Sequence, residues 1–203
     1  MKCHINNIIH HVMTVMGMAE TPPPLVMTGC GQSTIRQIIK MRLQEAAEKV
    51  MAEADAMMLA PGKPVRSLLA WPEGCEGHGM AVMPLPDDCM RLIDVKLSDW
   101  RRPATIITAD NPIYLLQSSP FEGVRGNPEN PVAAVCRRPA GLVAELYSSR
   151  AGRGVCIESA QYIPLPTFSH DGLIHLPDRL YHNIINATAR LAEESLDMMN
   201  INA

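Results

Sequence analysis

Aromatic side chains are scarce: the 203-residue chain has two Trp, two Phe and four Tyr. Fourteen Met stand in part for them. Flexible thioethers fill irregular gaps, so this composition predicts an adaptable core or tolerant contact surfaces rather than redox chemistry. Long apolar runs are also missing. None approaches the roughly 20 residues of a spanning helix. The apolar stretch 8–18 carries His10 and His11 without a basic lead, which makes a poor signal peptide. A soluble chain with no membrane partner is expected. Paired cysteines are absent as well: six Cys stand at 3, 30, 75, 89, 136 and 156 with no CxxC spacing, which predicts reduced thiols in a cytoplasm. Nor is there an excess of positive charge. A net charge of -3 excludes a generally basic nucleic-acid binder, because phosphate neutralisation needs clustered Lys and Arg. Only local basic spots remain, at Arg101-Arg102 and Arg137-Arg138.

What is present is helix at both ends and strand between. Ile5, Ile8, Ile9, Val12, Val15 and Met16 recur at the spacing of one helix face, and Pro22-Pro23-Pro24 ends that helix. A second helix, capped by Ser33 or Thr34, carries Ile35, Ile39, Leu43, Ala46, Val50, Ala54 and Met57 on one side. It runs to Leu59, where Pro61-Gly62 stops it. From 68 to 162 the period shortens. Ile93, Val95 and Leu97 alternate with Asp94 and Lys96 as in a half-buried strand, and further strands are expected over 104–108, 132–136, 142–148 and 155–162. Residues 110–131, with Pro112, Pro120, Pro128 and Pro131, read as a long exposed excursion suited to contact with a partner. A last helix opens at Pro177-Asp178 and runs through Leu180, Ile184, Ala187 and Leu191, with 198–203 as a loose tail.

The expected fold class is therefore α+β. A helical bundle is formed by the N-terminal helices and a C-terminal helix, with a central antiparallel β-sheet insertion. The expected division is 1–70 for the N-terminal helices, 71–174 for the β-rich insertion with its loop at 110–131, and 175–203 for the closing helix and tail.

Each candidate for chemistry has a plainer explanation. Thr28-Gly29-Cys30-Gly31-Gln32-Ser33-Thr34 is a Gly-rich turn before a helix, but it has Gln32 where a phosphate-binding loop needs Lys. Cys75, His78 and Cys89 supply three zinc donors without a fourth ligand or paired spacing. His10 and His11 are adjacent and diverge by about 100 degrees on a helix, so they cannot share a metal. Asp87-Asp88 reads as a turn after proline. His170, Asp171 and His175 have no Ser or Cys elbow to complete a triad. No catalytic, cofactor-binding or metal residue is assigned, and an enzyme is not expected. The alternative that stays open is a small cytoplasmic zinc- or phosphate-binding enzyme.

Two proline-punctuated blocks bracket the strand-rich middle. The entry is Leu85, Pro86, Asp87, Asp88, Arg91 and Val95, followed by Ser98-Asp99-Trp100-Arg101-Arg102-Pro103. The exit is Tyr162, Pro164, Pro166, Ile174, Leu176, Pro177, Leu180, Ile184, Ile185 and Leu191. In order and spacing over about 30–197 this pattern resembles the head-to-tail adaptor, or connector ring, proteins of tailed bacteriophages. The first thirty residues match nothing in that pattern. The resemblance implies a structural virion protein at the capsid-tail junction, assembled in the bacterial host cytoplasm. It implies a homo-oligomeric ring, commonly of twelve copies, bound beneath the portal protein and docking tail or nozzle proteins. Packaged double-stranded DNA would pass through its channel without sequence-specific binding. A mildly acidic chain suits that role, since clustered cations would grip the DNA and slow its passage.

Overall fold

The backbone begins with β1 (Lys2–His4) and turns directly into α1 (Ile5–Val15), where the His4 imidazole accepts a hydrogen bond from the Asn6 amide at 3.2 Å. The structure is a computed structural model and describes residues 2–18, 30–59, 61–72, 80–147 and 154–201. After α1 come α2 (Cys30–Glu53) and α3 (Ala56–Leu59). The middle carries β2 (Lys63–Pro64), β3 (Ala81–Pro84), β4 (Cys89–Leu97) and β5 (Thr105–Thr108). Then follow α4 (Pro112–Leu116), β6 (Val132–Arg138), β7 (Gly141–Tyr147) and β8 (Ile157–Pro164). The last elements are β9 (Leu173–His175), a 3-10 turn over Asp178–Leu180 and α5 (Tyr181–Ile201). The fold is mixed α+β with largely antiparallel sheets and a C-terminal helix.

These elements form two units, residues 1–60 with 165–203 and residues 61–164. In the first, α5 packs against α2 and α1, and β1 pairs antiparallel with β9. Its interior holds Ile8, Ile39, Leu43, Ile174, Leu176, Leu180 and Ile184, all wholly buried. The boundaries fall about ten residues before those read from the sequence, because β2 pairs with β8 and β9 pairs with β1.

The helices depart from the sequence pattern in five places. α1 stops at Val15, before Met16 and well before the prolines, closed by Gly17 at φ +71 and by amides of 16–18 bonded back to Val12, Thr14 and Met13 carbonyls; this is an end that glycine makes cheaply. Its buried face takes Met13 in place of Val15, which is 52% exposed. α2 is already helical at Cys30, so Ser33 and Thr34 lie inside it and are not its caps. It breaks at 54–55, its buried row shifting to Ala47 and Met51, which leaves Met57 79% exposed. α5 continues to Ile201, so most of the expected tail is helix; residues 202–203 lie outside the described residues.

The second unit contains two sheets, not one. β2, β8 and β4 lie side by side in that order, all antiparallel, and β3, β7, β6 and β5 form the other sheet. The β5–β6 pair is parallel. A parallel neighbour requires a crossover of a dozen or more residues, and residues 109–131 provide it. β4 is irregular, with register shifts at Cys89/Arg91, Leu92/Asp94 and Lys96/Leu97. Each shift re-aims the side chains, so Leu92 is buried where strict alternation had predicted Ile93. Met83, Val95, Leu97, Trp100, Leu146 and Tyr162 form the core of this unit.

Candidate functional site

The entry and exit blocks meet. Leu85-Pro86-Asp87-Asp88 forms the turn between β3 and β4, closed by the Cys89 amide donating to the Pro86 carbonyl at 2.9 Å. Antiparallel pairing then sets Cys89 opposite Pro164 and Leu92 opposite Tyr162. The Tyr162 hydroxyl donates to one Asp88 carboxylate oxygen at 2.9 Å, and Lys63 reaches the other at 3.1 Å. Residues 74 positions apart are thereby clasped. Asp87 faces solvent, so the two carboxylates diverge as a turn requires.

At this clasp Lys63 and Asp88 are partly open to solvent, while Cys89 and Tyr162 are buried. Burial, then the nearby Asp88 charge, push the Cys89 thiol up to about 11. The same two causes, with the hydrogen bond to Asp88, push Tyr162 up to about 12. A thiol held protonated is a poor nucleophile and a poor metal ligand. Gly62 completes the packing: a Cβ there would stand 2.7 Å from the Tyr162 carbonyl oxygen and 3.0 Å from Ile93 Cδ1.

A second polar cluster anchors the crossover. Asn111 caps α4, accepting from the Ile113 amide at 2.9 Å, and Pro112 occupies the first turn, where no amide is needed. Gln117 is buried, donating to the Ile113 carbonyl at 3.0 Å and accepting from the Gly126 amide at 2.8 Å. Arg101 pairs with Glu129 at 2.9 Å, and Arg102 donates to Asn130. The excursion is thus held by its own hydrogen bonds and by α4.

Beneath it lies Glu145, a carboxylate with no exposed side-chain surface. It accepts from Tyr147 at 2.7 Å, Tyr114 of α4 at 3.0 Å and Arg138 at 2.9 Å through Nε, with a second contact from Arg138 Nη2. Burial pushes this carboxyl up, but the hydrogen bonds from Tyr147, Arg138, Cys136 and Tyr114 outweigh it and hold it below the usual range. Tyr147 and Tyr114 are raised, by burial first and then by Glu145. With every lone pair engaged, the cluster positions α4 on the sheet; four satisfied bonds make it a fastening.

The sequence candidates scatter. Cys75 and His78 of the zinc set lie outside the described residues, and Cys89 belongs to the clasp. Residues 28 and 29 of the Gly-rich turn are likewise outside, and Gly31 to Thr34 are helical. His11 shares a hydrogen bond with the Tyr181 hydroxyl at 2.7 Å, while His10 is exposed. His170, Asp171 and His175 are exposed around Gly172 and β9. Among the described residues no three His, Cys, Asp or Glu side chains are gathered as a metal site, and no helix is long and apolar enough to cross a membrane. Of the basic spots, Arg101, Arg102 and Arg138 are engaged by Glu129, Asn130 and Glu145. The Glu145 cluster was missed in the sequence; its only signal is one charge inside the apolar run 142–146. No protein-family model matches the chain, and no curated protein matches it significantly.

Proposed function

We propose that the chain is a head-to-tail adaptor of a tailed bacteriophage. In this reading it is a structural virion protein that forms a ring beneath the portal, extends the DNA channel and docks tail components. The observation that carries the proposal is the division of the chain. Helices from both ends pack together, while 61–164 folds as a continuous inserted β unit. Within that unit the entry block meets the first residue of the exit block at the Asp88–Tyr162 clasp. On this reading the helical unit is a bundle of N-terminal helices closed by α5, and the β unit projects contact surfaces. The polar clusters support a structural part, since each is consumed in holding segments together.

Electron microscopy of the purified protein, alone and with the portal protein of the same phage genome, tests the proposal. Rings of about twelve copies seated on the portal are expected, with the chain present in virions by mass spectrometry. A protein that forms no ring on the portal and is absent from virions overturns it.

A further inference from the structure

All six histidines among the described residues lie in the helical unit: His4, His10, His11, His170, His175 and His182. Histidine is the side chain that gains charge between about pH 8 and about pH 5. What each imidazole holds therefore decides what mild acid does to this unit. Three of them stand on or beside the two-stranded ribbon of β1 and β9: His4, His175 and, in the turn before β9, His170.

Alternation fixes the two faces of the ribbon. Cys3 and Ile174, directly opposite one another, are buried, so Lys2, His4, Leu173 and His175 make up its outer face. Lys2 stands directly across from His175. His4, across from Leu173, is the diagonal neighbour of His175, a separation of about 7–8 Å in such a pair. With the imidazoles neutral this face carries one cation, Lys2. His4 also caps α1. Its Nδ1 accepts from the Asn6 amide at 3.2 Å, which leaves the ring proton on Nε2, beside Gly172, where a Cβ would stand 3.6 Å away. The first turn of α1 holds no acidic residue, so its own helix offers nothing to offset a cation at the cap.

We infer that the β1–β9 ribbon is an acid-opened latch: as His4 and His175 take up protons, residues 2–4 release 173–175 while the body of α1 stays packed on α5. Three effects act together. A second proton on His4 occupies Nδ1 and breaks the cap bond to Asn6. The charge it brings sits at the positive end of the α1 dipole. Protonated His175 opposes Lys2 as a like charge directly across the strands, which is destabilising. The open form therefore binds more protons, and opening is favoured as pH falls. Against this the ribbon sets three residue pairs and the bond from the Ile5 amide to the Gly172 carbonyl at 2.9 Å.

The surrounding groups confine the opening to the ribbon. Asp171 in the turn and Asp178 beyond β9 soften the repulsion without replacing the acceptor that Asn6 loses, and protonated His170 offsets Asp171. Arg179 is engaged by the Met57 carbonyl at 3.1 Å. Between α1 and α5, His11 keeps its 2.7 Å bond to Tyr181 in either state, because the hydroxyl can turn from donor to acceptor. His10 and His182 are exposed. Ile8, Ile9 and Val12, buried further along α1, hold the helix in place. The latch belongs to the helical unit alone and is independent of the adaptor reading.

Cys3 is buried in the closed ribbon and reports on it. The full-length protein is labelled with dithiodipyridine, a disulfide reagent that reacts with thiols in mild acid, from about pH 8 to about pH 5. Modification of Cys3 is followed by peptide mass spectrometry. Dividing its rate by that of the urea-unfolded chain at each pH removes the thiol's own pH dependence. Protection of Cys3 should fall about tenfold over this range, with the helical circular dichroism unchanged. His4→Asp supplies a cap acceptor that stays ionised throughout, and His175→Gln removes the cation opposite Lys2. The double variant should stay protected at every pH, and each single variant should keep part of the fall, so the reading does not hang on one protein. Protection that does not change with pH in the native chain overturns the inference, as does an equal fall in the variants. Loss of the helical signal together with Cys3 protection would show the whole unit melting, and would overturn the latch as well.

Discussion

Glu145 is the one charged side chain wholly removed from solvent among the described residues. Its hydrogen bonds hold its pKa below the ordinary value of 4.5. A carboxylate of lowered pKa contributes stability that is complete above the unfolded value and is lost as pH falls through the lower folded value. Glu145→Gln keeps the shape and removes the charge, and should cost about 1–2 kcal/mol at neutral pH. The difference from the native chain should shrink as pH drops below about 4.5, read by urea unfolding at a series of pH values. A difference independent of pH would mean that the carboxylate is not ionised in its pocket. Little of this was legible in the sequence. A lone Glu in an apolar strand looks like an outward residue, and only the return of Tyr114 on the crossover, with Arg138 across the hairpin, makes burial tolerable. Asp87-Asp88, by contrast, was legible as a turn, because proline and adjacent carboxylates act locally.

Among the elements, those with a repeating pattern were read most nearly. Strands β5, β6, β7 and β8 fall within a residue or two of their expected spans. β1, β2 and β9 were not seen, being two or three residues long and existing only through distant partners. The single helix expected to reach Leu59 breaks at 54–55, and its last buried positions are Ala46, Ala47 and Met51 rather than Val50, Ala54 and Met57. The parallel β5–β6 pair was beyond reach, because strand direction follows from the route of the crossover. At this scale Gly62 is the sharpest probe. Gly62→Ala would drive a Cβ into the Tyr162 carbonyl and should cost about 2 kcal/mol or more, measured as a lower denaturation midpoint. A neutral substitution would show that β2 is free to shift away from β8.

Across the whole molecule, both tryptophans, Trp71 and Trp100, lie in the β unit, whereas α1, α2 and α5 lie in the other unit. Fluorescence therefore follows one unit and helical circular dichroism the other. Gly62→Ala should lower the fluorescence midpoint and leave the helical signal's midpoint nearly unchanged; equal displacement of both would show a single cooperative transition. The α+β class and the order of helix, strand and helix were legible from periodicity. The placing of 61–70 with the strands and 165–174 with the helices was not, because two short pairings decide it.

The pairing of Lys2, Cys3 and His4 with His175, Ile174 and Leu173 has a consequence for biogenesis. During synthesis residues 2–4 must wait for 173–175, with α2 also waiting for α5, whereas 61–164 can close as soon as it emerges. The long loop makes that final pairing slow to find but costs it little more in entropy than a shorter one, since closure grows only with the logarithm of length. During synthesis the early helices are therefore a waiting apolar surface, in need of a chaperone or of quick translation, and the chain is vulnerable to a stall anywhere after β8.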